Sequence, residues 1–304
     1  MQNEIEQILD RERLDVSVIK VINNVLAQYL IKKLPEKQSL ENCLTSYTKE
    51  KLVRIADENS FEIRKSWRKN KIVQSIEEGI LSSIEERFLI LGEEKLKLLQ
   101  RVFNEQSDMD PLSLEEFYLN VYPAALRMGL LYTSLQENRV ITVMPEEIKL
   151  YLDANLANFA HLKREFSLKI PAWEEMEEVL KAGVHLYGVL NVDTLTDLWR
   201  IRHTEEQLPV VEDASFIQSS YEVLPLLAIK NGYYLINDSL FGNSVFSNEE
   251  DVKTFYRQRL NKMHINEYKP SKQEIEYYAE NSFDRRMSSY KELEQYVFKF
   301  YTRV

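Results

Sequence analysis

The sequence predicts a mostly α-helical protein of α+β type, with small β-hairpins set among helical modules. Three observations carry this expectation. Apolar residues recur at helical spacing along most of the chain. Prolines and Ser/Thr/Asn/Asp capping residues punctuate those runs at intervals typical of helices. Strand signals are brief: Leu130–Thr133 with Arg139–Val143, a short stretch at Tyr187–Leu190, and Leu227–Ile236 around Asn231-Gly232.

Ile5, Ile8 and Leu9, then Val18, Ile19, Val21, Ile22, Val25, Leu26, Tyr29 and Leu30, predict helix over residues 1–34, ended by Pro35. Thr48 to Ala56 predicts a short helix, Phe61-Glu62-Ile63 an extended segment, and Trp67 onward a longer helix reaching Ile84. A break is expected at Asp108–Pro111, followed by a helix capped by Ser113 with Glu116. Pro123 opens a helix that Gly129 stops, a hairpin follows, and Pro145-Glu146-Glu147 opens the next helix. Further helices are expected through Trp173, Met176 and Leu180, then from an Asn191 or Asp193 cap through Leu198 and Trp199, then over Glu212–Leu224. Asn231-Gly232 between Leu227–Lys230 and Tyr233–Ile236 predicts a two-residue hairpin, because Asn-Gly tolerates the two positive φ angles of a type I′ turn. Ser247 with Glu250, and Ser271 with Glu274, predict capped helices in the tail; a last helix is expected from Ser289 to Phe300. The expected domains are residues 1–92, 93–165 and 166–304.

Composition narrows the function classes. Only 7 of 304 residues are Gly, and no Gly-rich phosphate-cradling motif is present, which argues against the common nucleotide-binding folds. The net charge of -10 argues against a protein that coats DNA with its whole surface. Any nucleic-acid contact is therefore expected to be local. The lone Cys43 permits no internal disulfide, and residues 1–15 are charged throughout. No apolar stretch approaches about 20 residues, so a cytoplasmic location without membrane insertion is expected.

Helix, short strand, helix, helix, hairpin is the order of elements expected over residues 172–237, and loosely over 95–144. This order resembles a winged helix-turn-helix, which implies DNA binding or protein contact. The second unit's recognition helix would be Glu212–Glu222, which holds no Lys or Arg and three carboxylates; the first unit offers Arg127, with Arg139 on its wing. Leu52, Val53, Ile55 and Ala56, then Ile63, then Trp67-Arg68-Lys69 with Lys71, Ile72, Val73 and Ile76 form a second pattern. Over about residues 48–80 it resembles the N-terminal unit of transcription termination factor Rho and SAP-type modules, which implies single-strand or duplex nucleic-acid binding. The glycine usual near that loop is missing, and Glu58 and Glu62 flank it. Leu186–Val189 and Tyr268–Tyr278 are similar to parts of uncharacterised bacterial proteins, some of which carry an SEC-C zinc motif. The cysteines of that motif are absent, so the resemblance implies no metal.

The candidate nucleic-acid residues are Arg64, Lys65, Trp67, Arg68, Lys69 and Lys71: cations for phosphates and an indole to stack on a base. The same residues equally suit a solvated helix start with Trp67 in a small core. Chemistry is otherwise sparse, and no catalytic, metal or cofactor residues are assigned. His161 and Glu165 share i,i+4 spacing, and the Glu174, Glu175, Glu177, Glu178 cluster suits a solvated helix start. The chain is expected to be a non-enzymatic regulatory or adaptor protein that contacts DNA or RNA. The alternative is a scaffold for a protein partner or for self-association, with the tyrosine-rich tail as a contact surface.

Overall fold

A computed structural model describes residues 27–104, 111–136, 139–170, 173–203, 214–237, 240–242, 246, 249–262 and 268–282. It is mostly helical, with two small three-stranded sheets. The chain divides into two units, Met1–Pro171 with Tyr221–Asp238, and Ala172–Ser220 with Ser239–Val304. Among the described residues, no helix is long and apolar enough to cross a membrane.

In the first unit, residues 27–29 are helical and Leu30–Ile31 form strand β1. The expected helix through residue 34 therefore ends early. Leu30 and Ile31 have a stronger use: they pair in parallel with Thr133 and Ser134 at the edge of a sheet. The expected helix over residues 1–26 lies outside the described residues. Three helices follow: α1 (Leu40–Thr45), α2 (Lys49–Glu58) and α3 (Lys69–Ser82). Helix α1 is a departure from the sequence reading. Ser39 caps it, and Leu40, Cys43 and Leu44 are buried along one side, so Cys43 is a core residue. The long helix expected from Trp67 begins at Lys69 and ends at Ser82; Ile84–Leu91 is a separate helix, α4, whose chain leaves through Gly92 at φ 94°.

Helices α5 (Glu93–Asn104) and α6 (Pro111–Glu116), a π-helical turn at Phe117–Val121 and α7 (Tyr122–Arg127) lead to the hairpin β2 (Tyr132–Gln136) and β3 (Arg139–Val143). Ser113 lies inside α6 and not at its cap, because the helix already starts at Pro111, whose fixed φ and missing N–H suit a first turn. The strands pair Thr133 with Thr142. Their hydroxyls meet at 2.9 Å, and Tyr122 Oη lies 2.8 Å from Thr133 Oγ1, which ties α7 to the sheet through buried polar contacts. Helices α8 (Glu146–Asn155) and α9 (Phe159–Lys169) complete this stretch.

In the second unit, α10 (Trp173–Tyr187), β4 (Val189–Asn191) and α11 (Val192–His203) follow the expected order. Gly188, at φ 70°, closes α10 with its N–H on Val184 O at 2.8 Å. Asn191 Oδ1 accepts the Thr194 N–H at 2.8 Å and so caps α11.

Helix α12 runs from Ala214 to Lys230, and Tyr234–Ile236 form β5. This overturns the hairpin expected at Asn231-Gly232. Leu227–Lys230 are the last turn of a helix, and Gly232, at φ 73°, lies two residues past its end. Gly232 N–H reaches Ile229 O at 3.1 Å, and Tyr233 N–H reaches Ala228 O at 2.8 Å, the paired bonds of a Schellman cap. Val223 to Ile229 are all buried, an environment that favours a helix apolar on every side over a ribbon with one wet face. Strand β6 (Leu240–Gly242) pairs antiparallel with β4. Helices α13 (Glu249–Lys262) and α14 (Lys272–Glu280) follow, the latter with the expected Ser271/Glu274 capping box. Glu212, Asp213, Ser247 and the helix expected over 289–300 lie outside the described residues.

Candidate nucleic-acid interface

The loop between α2 and α3 collects the cations that the sequence singles out. Helix α2 starts at Lys49 because Thr48 accepts the Lys51 N–H, and it stops at Glu58. Asn59 and Ser60 turn the chain out, Ser60 at φ 55°. Trp67 N–H closes a turn on Arg64 O at 2.8 Å, and Arg68 occupies the N-cap position of α3. That cap makes no side-chain hydrogen bond, and the first turn of α3 carries no acidic residue. A helix start ordinarily draws carboxylates, so cations there leave the positive end of the dipole uncompensated.

Arg64, Lys65, Arg68 and Lys71 are exposed. Lys65 has a loose exposed pairing with Asp57 at 3.9 Å. The Lys71 ammonium lies 4.1 Å from the centroid of the Trp67 ring, a cation–π contact on a half-buried indole. Trp67 is thus neither a free stacking platform nor a core residue. Lys69 is half-buried and donates from Nζ to Thr45 O at 2.5 Å, so it ties α3 to the end of α1. Of the six candidates, Arg64, Lys65, Arg68 and Lys71 are exposed on the loop and the first turn of α3, Trp67 is half-buried, and Lys69 is partly committed to a structural bond.

Further cations lie close in the same unit. Lys51 donates from Nζ to Leu30 O at 2.6 Å, and burial, then Arg54, lowers its pKa. Lys32 and Lys33 follow β1 and are exposed.

Below the loop lies a buried polar node that the sequence analysis did not name. Arg87, 1% exposed, donates from Nη1 to Asn59 Oδ1 at 2.7 Å and to Met128 O at 2.6 Å, and from Nε to Ser83 Oγ at 3.0 Å. Asn59 Nδ2 donates in turn to Ile55 O and Arg127 O, each at 2.9 Å. The Arg87 guanidinium also sits 5.1 Å from the Phe61 ring. Burial pushes the Arg87 pKa down to about 10, against upward pulls from Tyr132 and Glu86. The signal in the sequence was a cation set inside the apolar run Phe88-Leu89-Ile90-Leu91 and Ile84.

Arg127, a possible base contact by sequence, is not available to a ligand. It pairs with Glu58 at 3.4 Å, with both side chains 13% exposed, and donates from Nη2 to Tyr233 O at 2.8 Å. Tyr29 donates its hydroxyl to the same Glu58. Burial alone would lower the Arg127 pKa, but Glu58 and then Tyr29 outweigh it and hold the pKa above its ordinary value.

In the second unit the glutamate cluster of α10 is partly engaged and not merely solvated. Glu175 Oε2 meets His203 Nε2 at 2.9 Å, and Glu178 pairs with Arg202, joining α10 to α11. His161 and Glu165, both exposed, approach to 3.6 Å. Among the described residues no three His, Cys, Asp or Glu side chains gather where they could hold a metal ion. An open cleft of about 250 Å³ runs between α11 and Tyr268–Pro270. Its Asp197 and Arg200 pair at 3.2 Å, and Lys269 lines the same cleft. Compared with models of protein families, with curated proteins and with solved structures, the chain matches none.

Proposed function

We propose that this chain is a non-enzymatic regulatory or adaptor protein that contacts DNA or RNA through the loop joining α2 and α3. One observation carries the reading. Arg64, Arg68 and Lys71 are exposed on this loop and the first turn of α3, and among the described residues none makes an ion pair with a carboxylate. A surface salt bridge costs little to break, but a cation with no carboxylate partner is ready for a phosphate. Lys65 adds a fourth charge, because its pair with Asp57 is long and wet.

Two features give further support. The helix–loop–helix over residues 48–80 keeps the order of the Rho N-terminal and SAP-like units that the sequence resembles. In the second unit the order α10, β4, α11, with β4 paired to β6, keeps part of the winged-helix-like order that the sequence predicts. That second region is not proposed as a DNA reader: Val223–Ile229 of α12 are buried, and Glu222 is exposed. Its use is protein contact.

The ligand is held by charge and not by base edges. Lys71 already occupies a face of Trp67, so stacking is secondary to phosphate neutralisation. Fluorescence anisotropy with labelled single- and double-stranded DNA and RNA tests the reading. Binding is expected at low salt and falls as salt rises, with a log–log slope of roughly −0.7 per phosphate contacted on a single strand. Reversing the exposed Arg64, Arg68 and Lys71 together to Glu abolishes binding while circular dichroism stays unchanged. Unchanged affinity in that variant would sink the proposal.

A further inference from the structure

The loop is held at its root by groups that carry none of its charge. Asn59 is bonded to Arg87 and to Arg127 O. Phe61 N–H donates to Ala56 O at 2.9 Å, its ring lies beside the Arg87 guanidinium, and Glu62 O accepts Ser75 Oγ at 3.2 Å. Gly79 on α3 makes the seat. A Cβ at that position would stand 2.6 Å from two carbons of the Phe61 ring, nearer than side chains approach one another. The glycine is thus needed for close approach, not for an unusual φ.

Building on the reading that this loop binds nucleic acid, we infer that Asn59, Phe61, Gly79 and Arg87 form a clamp that presets the geometry of Arg64, Lys65, Arg68 and Lys71. They are positioning residues, and none touches the ligand. The physical gain is the ordering of the loop before binding. A loop that visits its binding geometry a tenth of the time binds about tenfold more weakly, with the same charges.

Gly79→Ala separates this role from folding. In mid-helix the substitution favours α3 on propensity, yet it drives the half-buried Phe61 ring off its seat. Asn59→Leu breaks the same clamp from the other side. Two readouts are needed: amide hydrogen exchange over residues 60–68 in the free protein, and anisotropy with a labelled single-stranded oligonucleotide and a labelled duplex. The expected result is faster loop exchange in both variants, affinity lowered about tenfold, and a salt slope like that of wild type, because no cation has been removed. Faster exchange with undiminished affinity overturns the inference, and so does unaltered exchange. A wild-type chain that binds neither probe overturns this inference and the proposed function together. Wild-type binding with equal Gly79→Ala binding overturns the clamp alone.

Discussion

The chain uses arginine in two opposite ways within a few turns of helix. On the loop between α2 and α3, Arg64 and Arg68 stand in water without a carboxylate partner among the described residues. Beneath it, Arg87 and Arg127 are enclosed by carbonyls, an amide, a hydroxyl and a glutamate. The residue type is the same, and the surroundings decide the role. A buried guanidinium is tolerated only when most of its N–H groups find acceptors, and once they do it becomes a strut. An exposed one keeps its charge for a partner outside the chain. Formal net charge cannot distinguish the two, so a chain at -10 can still carry a usable basic patch.

Removing a strut is the largest expected break in this comparison. Arg87→Met takes away the partner of Asn59 Oδ1 and of Met128 O while leaving both in place. Stranding buried polar groups in this way costs about 1–3 kcal/mol each, so a loss of roughly 3 kcal/mol is expected. Urea unfolding followed by circular dichroism checks it. Equal stability in the variant would mean that Arg87 is not the strut described.

Alkaline pH should separate the interior from the surface more gently. Burial, then Glu147, pushes the Cys43 thiol up to about 12, and burial raises the Tyr29, Tyr47 and Tyr132 phenols. Groups whose folded pKa lies above the unfolded value stabilise the fold fully below the unfolded value, and that stability is lost as pH rises through the folded one. The urea midpoint is therefore expected to hold near neutrality and to fall from about pH 9 upward, where the unfolded thiol and phenols begin to ionise. Arg87 and Lys51 act with the opposite sign, since their lowered pKa lets the folded form release a proton first, but they are two groups against four. A midpoint level to pH 11 would contradict this account. Cys43 should likewise resist iodoacetamide in the folded protein at pH 8 and react after unfolding.

The sequence made the loop legible and its supports illegible. Arg64 to Lys71 are near neighbours along the chain, and a charge cluster with a tryptophan is visible without a structure. Phe61 meets Gly79 and Asn59 meets Arg87 only in space, across separations of 18 and 28 residues. The fold divides the same way. Capping residues read locally, so Thr48, Asn191 and Ser271 begin helices where expected. Asn231-Gly232 did not read correctly, because Gly at positive φ serves a type I′ turn and a helix end alike. What chose the helix end was the burial of Val223–Ile229, a tertiary fact. The matching cap at Gly129 was legible because Pro123 already marked the helix that it ends.

Lys65 gives the smallest expected effect and the finest test of the contrast. It has an ionic partner, Asp57, but at 3.9 Å, with the two side chains 77% and 60% exposed. Water and salt screen such a pair, and holding two long side chains together costs entropy, so its worth is at most about 0.5 kcal/mol. If Lys65 belongs with the surface set, Lys65→Met leaves the urea midpoint nearly where it was. It should weaken nucleic-acid binding a few-fold at low salt and reduce the salt slope by roughly one phosphate contact, about 0.7 on a single strand. If it belongs instead with the struts, stability falls and the slope stays. Measuring both quantities on the same preparation places Lys65 on one side or the other, and through it the boundary between the cations that hold this fold and those it offers to a ligand.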